Sequence, residues 1–381
     1  DGAVEGAPRY VDLVAGEPPD IALPRRDPAA PAFLYFTSGS TGMPKGAVHT
    51  LETMGWLTAS MAQSLQLTPD DVVLPGSSFA HIVGTTTIIA ALCAGARTAV
   101  PRDFDGEALL ALCRKTHPTV MNILPLPLLA LIEDPDAVRD DFAPLRLCLS
   151  GSDKLTESFE REFVDRVGFE IHEGYGMTEA GLTHFNPAAG PNKPGSIGST
   201  TAGYVTSIRD ESGAEVPAGT SGRLWIKGPA ITVGYWDDPA ATAEAIVDGW
   251  LDTGDVVRAD KDGYLWFQGR KKQIIIHDGS NISPQEVEQA LESHPAVASA
   301  GVVGVHDAAH GENVWAYVAL KDGIDKPARR DLIRHARARV GYKAPEAVFV
   351  LDEMPRNATG KVDRETLKKW AAARIGADSS Q

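Results

Sequence analysis

The sequence predicts an α/β protein: a large N-terminal α/β region that includes a β-rich part, followed by a small C-terminal α+β domain. Three changes of texture carry that expectation. Up to about residue 185, short β-prone runs alternate with helical patterns, as βαβ units and a parallel sheet do. From Pro187 to Gly269, glycine and proline punctuate short strands. From Lys271 onward, amphipathic helices and apolar strands alternate in a compact stretch. The expected division is 1–270 for the large domain, split into 1–186 and 187–270, and 271–381 for the small one.

In chain order, AFLYF, TVMNIL and RLCLS read as buried strands. TMGWLTASMAQSL and EALLALCRKTH carry apolar residues at helical spacing. GRLWIKG and GYLWFQG read as strands of the β-rich part. ISPQEVEQALESH is an amphipathic helix with Ser283 as its cap and Pro284 in its first turn. ASAGVVGV and VWAYVAL then read as strands, and ARRDLIRHARARV as a basic helix. The last residues, GADSSQ, have the composition of a disordered tail.

With 381 residues the chain can form two or three domains around a large core. A hydrophobic fraction of 43% and a charged fraction of 23% suit a soluble globular enzyme. The formal charge of -15, with no basic cluster, disfavours nucleic acid or an anionic membrane as a partner. No apolar run is long enough to span a bilayer, and DGAVEGAPRY lacks the basic-then-apolar order of a signal peptide. Cys93, Cys113 and Cys148 lie in apolar contexts and read as buried, reduced thiols of a cytoplasmic protein, without a catalytic role.

The stretch FTSGSTGMPKG carries the first chemistry. Thr37, Ser38, Gly39, Ser40, Thr41 and Gly42 offer backbone N–H groups and hydroxyls close together, with Lys45 as a compensating cation. Such a loop suits phosphate oxygens. It is not a Walker loop, because Gly46 rather than Ser or Thr follows the lysine and the glycine spacing differs.

TSGSTGMPKG, GYGMTEA, GWLDTGD, GRKKQIIIHDGSNISPQEVE and PRNATGKVDR stand in one order from Thr37 to Arg364, with GRLWIKGPAITVGYWDDPAAT as a sixth string. Together they resemble the adenylate-forming superfamily in its acyl- and aryl-CoA synthetase branch, over nearly the whole chain. The resemblance implies ATP, Mg2+ and coenzyme A as cofactors and a small carboxylic acid as substrate. It implies that Tyr175 packs against adenine, that Thr178 bonds the α-phosphate, and that Glu179 helps hold Mg2+. Asp255 and Arg270 match the residues at the ribose. Lys361 matches the lysine that stabilises charge as a carboxylate attacks phosphorus and pyrophosphate leaves. Lys272 stands at the hinge, so that rotation of the small domain would replace Lys361 by HDGSNISP and open a channel for a thiol past Gly279. His81 matches a histidine near the acyl carboxylate, and Gly151, Ser152, Asp153 and Gly176 are the expected acyl-pocket residues.

Three departures qualify this resemblance. Only a short stretch precedes the glycine-rich loop, where many relatives have the first sheet of the large domain. That leaves a fragment, a complementing segment on another chain, or a short natural variant as alternatives, and implies apolar surface that a partner or homodimer would cover. SGSDKLT replaces the usual small-residue run at the pocket, and Asp278 replaces a frequent glycine next to Gly279. An acid–CoA ligase is the leading expectation. A separate carrier-protein phosphopantetheine as acceptor, and an inactive remnant, stand as alternatives. The apolar pocket stretches favour an aromatic or aliphatic acid.

Overall fold

The computed structural model describes residues 27–37, 44–151, 157–278, 280–307, 310–357 and 360–378. Strands β1 (Pro31–Thr37) and β2 (Lys45–Thr50) pair antiparallel and flank the glycine-rich loop. This corrects the reading of AFLYF as a buried strand of the parallel sheet. Within it only Tyr35 is buried, while Leu34 and Phe36 are exposed. The strand belongs to a separate three-stranded sheet, and its alternating side chains send Tyr35 into the core and its neighbours outward. Helix α1 (Leu51–Ser64) follows at once, started by a capping box between Thr50 and Thr53.

The central sheet comes next. Five parallel strands, β3 (Val72–Gly76), β4 (Arg97–Thr98), β5 (Val120–Ile123), β6 (Leu147–Gly151) and β7 (His172–Met177), are extended by antiparallel β8 (Gly181–Phe185) and β9 (Ser199–Thr200). Their order is β4-β3-β5-β6-β7-β8-β9. The crossovers are α2 (Ile82–Cys93), α3 (Gly106–Thr116), α4 (Pro125–Glu133) and α5 (Glu157–Val167). Side-chain alternation builds a layer on each face. Leu74, Met121, Ile123 and Cys148 pack with α3, α4 and α5. Val73, Val120, Leu147 and Leu149 pack with Met61 and Leu65 at the end of α1 and with Ala90 and Ala91 of α2. Strands buried on both faces read as continuous apolar runs, which is why TVMNIL and RLCLS were legible.

A five-stranded antiparallel sheet follows, formed by β10 (Val205–Arg209), β11 (Ser221–Lys227), β13 (Ile246–Val247), β14 (Trp250–Ala259) and β15 (Leu265–Arg270). The short β12 (Gly234–Tyr235) returns to pair with β2, and α6 (Pro239–Ala245) precedes β13. A 3-10 turn at Lys271–Gln273 leads into the last sheet. That sheet holds β16 (Ile275–His277), β17 (Ser280–Ile282), the long hairpin β18 (Val297–Asp307) and β19 (Gly311–Leu320), and parallel β20 (Ala347–Leu351). Helices α7 (Pro284–Glu292) and α8 (Arg329–Val340) contribute to the core on one face, and α9 (Arg364–Asp378) to the core on the other. Ser283 caps α7 by accepting from the Glu286 N–H, with Pro284 in the first turn.

Two further expectations need correction. Cys93 is exposed at the last turn of α2, whereas Cys113 and Cys148 are buried and free. An apolar neighbourhood in sequence does not fix which side of a helix a residue takes. Residues 376–378 of the expected tail continue α9, and 379–381 lie outside the described residues. No helix among the described residues is long and apolar enough to cross a membrane.

The start of the sheet is pinned by a buried ion pair. Asp71 is 3% exposed and accepts from Thr119 Oγ1 at 2.6 Å, Arg146 Nε at 2.9 Å and Nη2 at 2.8 Å, and the Thr68 N–H at 2.9 Å. Burial alone would push its carboxyl up, but these donors more than offset it and hold the group well below the usual carboxylate range. A depressed folded-state value means that the stabilisation is complete above the unfolded value, about pH 4, and is lost as pH falls further. Asp71→Asn should cost about 2 kcal/mol at pH 7. In denaturant melts over a pH series, the gap between wild type and variant should narrow below about pH 4.

Candidate active site

The expected site residues collect beyond the carboxyl ends of the parallel strands, where open α/β sheets bind ligands. His81 follows β3, Gly151 ends β6, Tyr175 and Gly176 lie at the end of β7, and Thr178 and Glu179 follow it. Gly151 pairs with Gly174, and a Cβ at Gly151 would stand 2.2 Å from the Gly174 carbonyl oxygen. The strand ends thus approach closely only because residue 151 is glycine.

Tyr175, Asp255 and Arg270 meet. Asp255 is 2% exposed on β14, and the Tyr175 hydroxyl donates to its Oδ2 at 2.5 Å. Arg270 faces Asp255 in the β14–β15 register, with Nε 3.2 Å from Oδ1. That contact is a charge contact off the hydrogen-bond line, so Oδ1 accepts no aligned hydrogen bond among the described residues. Burial pushes the Asp255 carboxyl up, against the opposing pull of Arg270, Tyr175 and Lys361. Burial and then the Asp255 charge raise the Tyr175 phenol well above its ordinary value, so it stays a donor. The Tyr175 ring is flanked by Phe267 at 6.4 Å and by His184 at 5.8 Å between centroids. Burial lowers His184 to about 3, leaving it neutral between Thr183 and Thr206.

A second group holds Thr178 and Glu179. The Thr178 carbonyl lies 2.9 Å from His49 Nε2, and burial keeps that imidazole below its ordinary value. A neutral His49 therefore carries its proton on Nε2. Glu179 is buried; its Oε1 accepts from the Tyr235 hydroxyl at 2.7 Å, and its carbonyl from the Thr232 N–H at 2.6 Å. Lys45 Nζ lies 5.1 Å from the centre of the same Tyr235 ring. The strand after the glycine-rich loop thereby carries its cation toward the Glu179 group. Thr37 closes the other side of the loop, its hydroxyl donating to the Lys45 carbonyl at 3.4 Å.

Lys361 arrives from the C-terminal part. Its N–H donates to Asn357 Oδ1 at 3.0 Å, the Asn357 N–H returns to the Lys361 carbonyl at 2.8 Å, and Arg356 Nη1 donates to the Gly360 carbonyl at 2.8 Å. Gly360 adopts φ +80°, and a Cβ there would stand 2.2 Å from Leu126 Cδ1 of α4. The positive φ favours glycine, and the turn rests against the Leu126 side chain of the large region. The charge of Lys361 acts on both Asp255 and His81. His81 also caps α2, its Nδ1 accepting from the Val83 N–H at 3.2 Å. Burial first, then the Lys361 charge, lowers its pKa, so His81 is a neutral imidazole at pH 7.

The structure thus brings Tyr175, Asp255, Arg270, His81 and Lys361 into one field, with Thr178, Glu179 and Lys45 in an adjoining group. Ser38, Gly39, Ser40, Thr41, Gly42, Ser152, Asp153 and Gly279 lie outside the described residues. Lys272 is in the 3-10 turn that directly follows Arg270 at the end of β15. His49, His184, Thr232 and Tyr235 escaped sequence reasoning. The only signal for the last two was the string GPAITVGYW, which holds both.

The sequence model of the AMP-binding enzyme family matches residues 5–236, and that of the AMP-binding enzyme C-terminal domain matches residues 286–361. A long-chain-fatty-acid–CoA ligase of Bacillus subtilis (strain 168) is 35% identical over 354 residues, covering 91% of this chain and 63% of its own. The fatty acid–[acyl-carrier-protein] ligase ScoC of Streptomyces coeruleorubidus is 32% identical over 351 residues, covering 90% of this chain and 67% of its own. The chain therefore spans about two thirds of the length of these curated relatives. The crystal structure of ATP-bound MatB from Rhodopseudomonas palustris superposes with a TM-score of 0.87 at 30% identity, over 94% of this chain and 72% of that one.

The field of Lys361 can be read at His81. Lys361→Ala should move the His81 titration upward, because one of the two influences depressing it is removed. Imidazole NMR titration of wild type and variant measures this. An unchanged midpoint would show that the turn does not sit at the site.

Proposed function

Because the chain belongs to the AMP-binding enzyme family, we propose that it activates a carboxylic acid with ATP and passes the acyl group to coenzyme A. The observation that carries this reading is the Lys361 charge acting on both buried Asp255 and His81. A cation from the C-terminal part thereby shares one site with a carboxylate suited to ribose and an uncharged imidazole.

The chemistry balances in two steps. A carboxylate oxygen attacks the α-phosphorus and pyrophosphate leaves; a thiol sulfur then attacks the acyl carbon, AMP leaves and the thiol proton is released. The Asp255 oxygen without an aligned partner accepts from ribose, with Arg270 beside it. Tyr175, anchored by its hydroxyl and flanked by Phe267, holds its ring in one plane for adenine to stack on. Thr178, fixed through its carbonyl by His49, offers its hydroxyl to the α-phosphate. Thr37, Ser38, Gly39, Ser40, Thr41, Gly42 and Lys45 surround the β- and γ-phosphates. Bound Mg2+ would neutralise phosphate charge, and Glu179 offers the hard oxygen ligand it prefers. Lys361 stabilises the charge that accumulates as pyrophosphate departs. His81, uncharged, sits by the acid without forming an ion pair that would blunt its nucleophilicity.

In this reading Gly151, Ser152, Asp153 and Gly176 border the acid, which is aromatic or aliphatic. Lys272 is the hinge about which residues 271–381 turn, and Gly279 borders the thiol channel. The acidic overall charge and free cysteines suit work in the cytoplasm. The second reading, transfer to a carrier-protein phosphopantetheine, is favoured by the resemblance to the Streptomyces ligase.

Lys361→Ala should lower acid-dependent pyrophosphate exchange by about 100-fold. Thioester formation from preformed acyl-AMP should be largely spared, and equal loss in both steps overturns the role. Free coenzyme A supplied against a phosphopantetheinylated carrier distinguishes the two acceptors. Exchange absent with a broad panel of aromatic and aliphatic acids would refute the adenylation reading itself.

A further inference from the structure

In the HDGSN stretch that the proposed reaction assigns to the thiol channel, β16 and the residues ahead of β19 bring His277, Asp278 and His310 together, with one ligand atom of each within 4.8 Å of the others. Glu346, just ahead of β20, places Oε1 3.5 Å from His277 Nε2. We propose that these residues bind a divalent transition-metal ion of the zinc class.

The proton inventory carries the inference. His277 is largely buried, and its Nδ1 lies 2.7 Å from the Glu312 carbonyl oxygen. A carbonyl can only accept, so Nδ1 carries the hydrogen, and in the neutral ring Nε2 is left with its lone pair. That atom stands 3.6 Å from Asp278 Oδ2 and 3.5 Å from Glu346 Oε1. A lone pair facing a carboxylate oxygen at each of these distances is a repulsion that a cation between them relieves. A proton on Nε2 would draw a carboxylate to about 2.7–2.9 Å, as charge-assisted hydrogen bonds do. Two ligands each about 2.0 Å from a tetrahedral zinc stand roughly 3.3 Å apart, which is nearer to the spacing here.

The supporting contacts fit as well. A backbone carbonyl on the far ring nitrogen is the usual way a ligating histidine is oriented. The other oxygen of Glu346 accepts from the Val314 N–H at 2.6 Å, which orients its carboxylate. Asp278 takes φ +49° and donates its N–H to the His310 carbonyl at 2.9 Å, while His310 Nδ1 lies 2.8 Å from Asp278 Oδ1. The His277 and His310 rings stack with centroids 5.3 Å apart. Two imidazoles and the Asp278 carboxylate offer the mixed nitrogen and oxygen donors that suit a divalent ion of this class, with the His310 Nδ1 hydrogen bond to Asp278 leaving Nε2 as that ring's ligand atom. Imidazole nitrogen favours zinc, copper or nickel over Mg2+, so this set selects a different ion from the one suited to Glu179.

The test uses the full chain, stripped with a chelator and titrated with Zn2+ by calorimetry in excess Mg2+. One equivalent should bind, and Zn2+ should raise the melting temperature. Asp278→Gly and His310→Ala each change exposed ligands, and glycine suits the backbone at 278. Each should weaken binding about tenfold or more. His277→Ala could disturb β16, so the two exposed variants decide the matter. Absence of saturable Zn2+ binding, equal competition by Mg2+, or unchanged affinity in both variants would overturn the proposal.

Discussion

Asp255 is the constraint around which the site is organised. A buried carboxylate costs several kcal/mol in lost hydration unless partners compensate. Its partners come from separate places: Tyr175 from the seven-stranded sheet, Arg270 from the neighbouring strand of its own sheet, and the field of Lys361 from the C-terminal part. Satisfying this one charge therefore fixes how the two large sheets meet. The β14–β15 ladder shifts register between Val256 and Val257, and beyond that shift Asp255 stands opposite Arg270. A bulge that would weaken an ordinary ladder here sets the pairing of carboxylate and guanidinium.

The residues around Thr178 and Glu179 obey a different rule. Polar loops after a strand cannot bury their backbone without partners. Here His49 serves the Thr178 carbonyl and Thr232 the Glu179 carbonyl, while the Thr232 hydroxyl donates to the Val48 carbonyl at 2.7 Å. The loop is thus tied to β2 and the stretch before β12, the same strands that carry Lys45 and Tyr235. β2 and β12 are thereby tied to the acid that follows β7.

What was legible in the sequence follows the range of the interactions involved. β5, β6 and α7 with its Ser283 cap are written in neighbouring residues, and they stand where their patterns place them. AFLYF was misread because an apolar run looks the same in a central strand and in a hairpin strand with one open face. The lysine, tyrosine and acids of the site sit in short strings that carry their own context. His49 does not: its partner Thr178 is 129 residues away, and nothing local marks the pair. The meeting of Asp278 with His310, 32 positions apart, is equally a product of strand pairing rather than of any motif.

The turn that carries Lys361 shows how one cation can serve a site without being built into it. Its shape rests on bonds among Arg356, Asn357, Gly360 and Lys361, all within six residues. Those bonds do not involve the large region, so the turn keeps its form whether or not it is docked. One place where it meets the large region, Gly360 against Leu126, is a small apolar contact. A contact of that size, about 1 kcal/mol for a buried methylene or so, can be broken and remade on the timescale of domain motion. The bulk of the C-terminal core lies instead between its own sheet and helices α7, α8 and α9. In the proposed reaction, a self-contained carrier, a turn held by its own bonds and a small docking contact would let an ammonium group visit a buried carboxylate and leave it again.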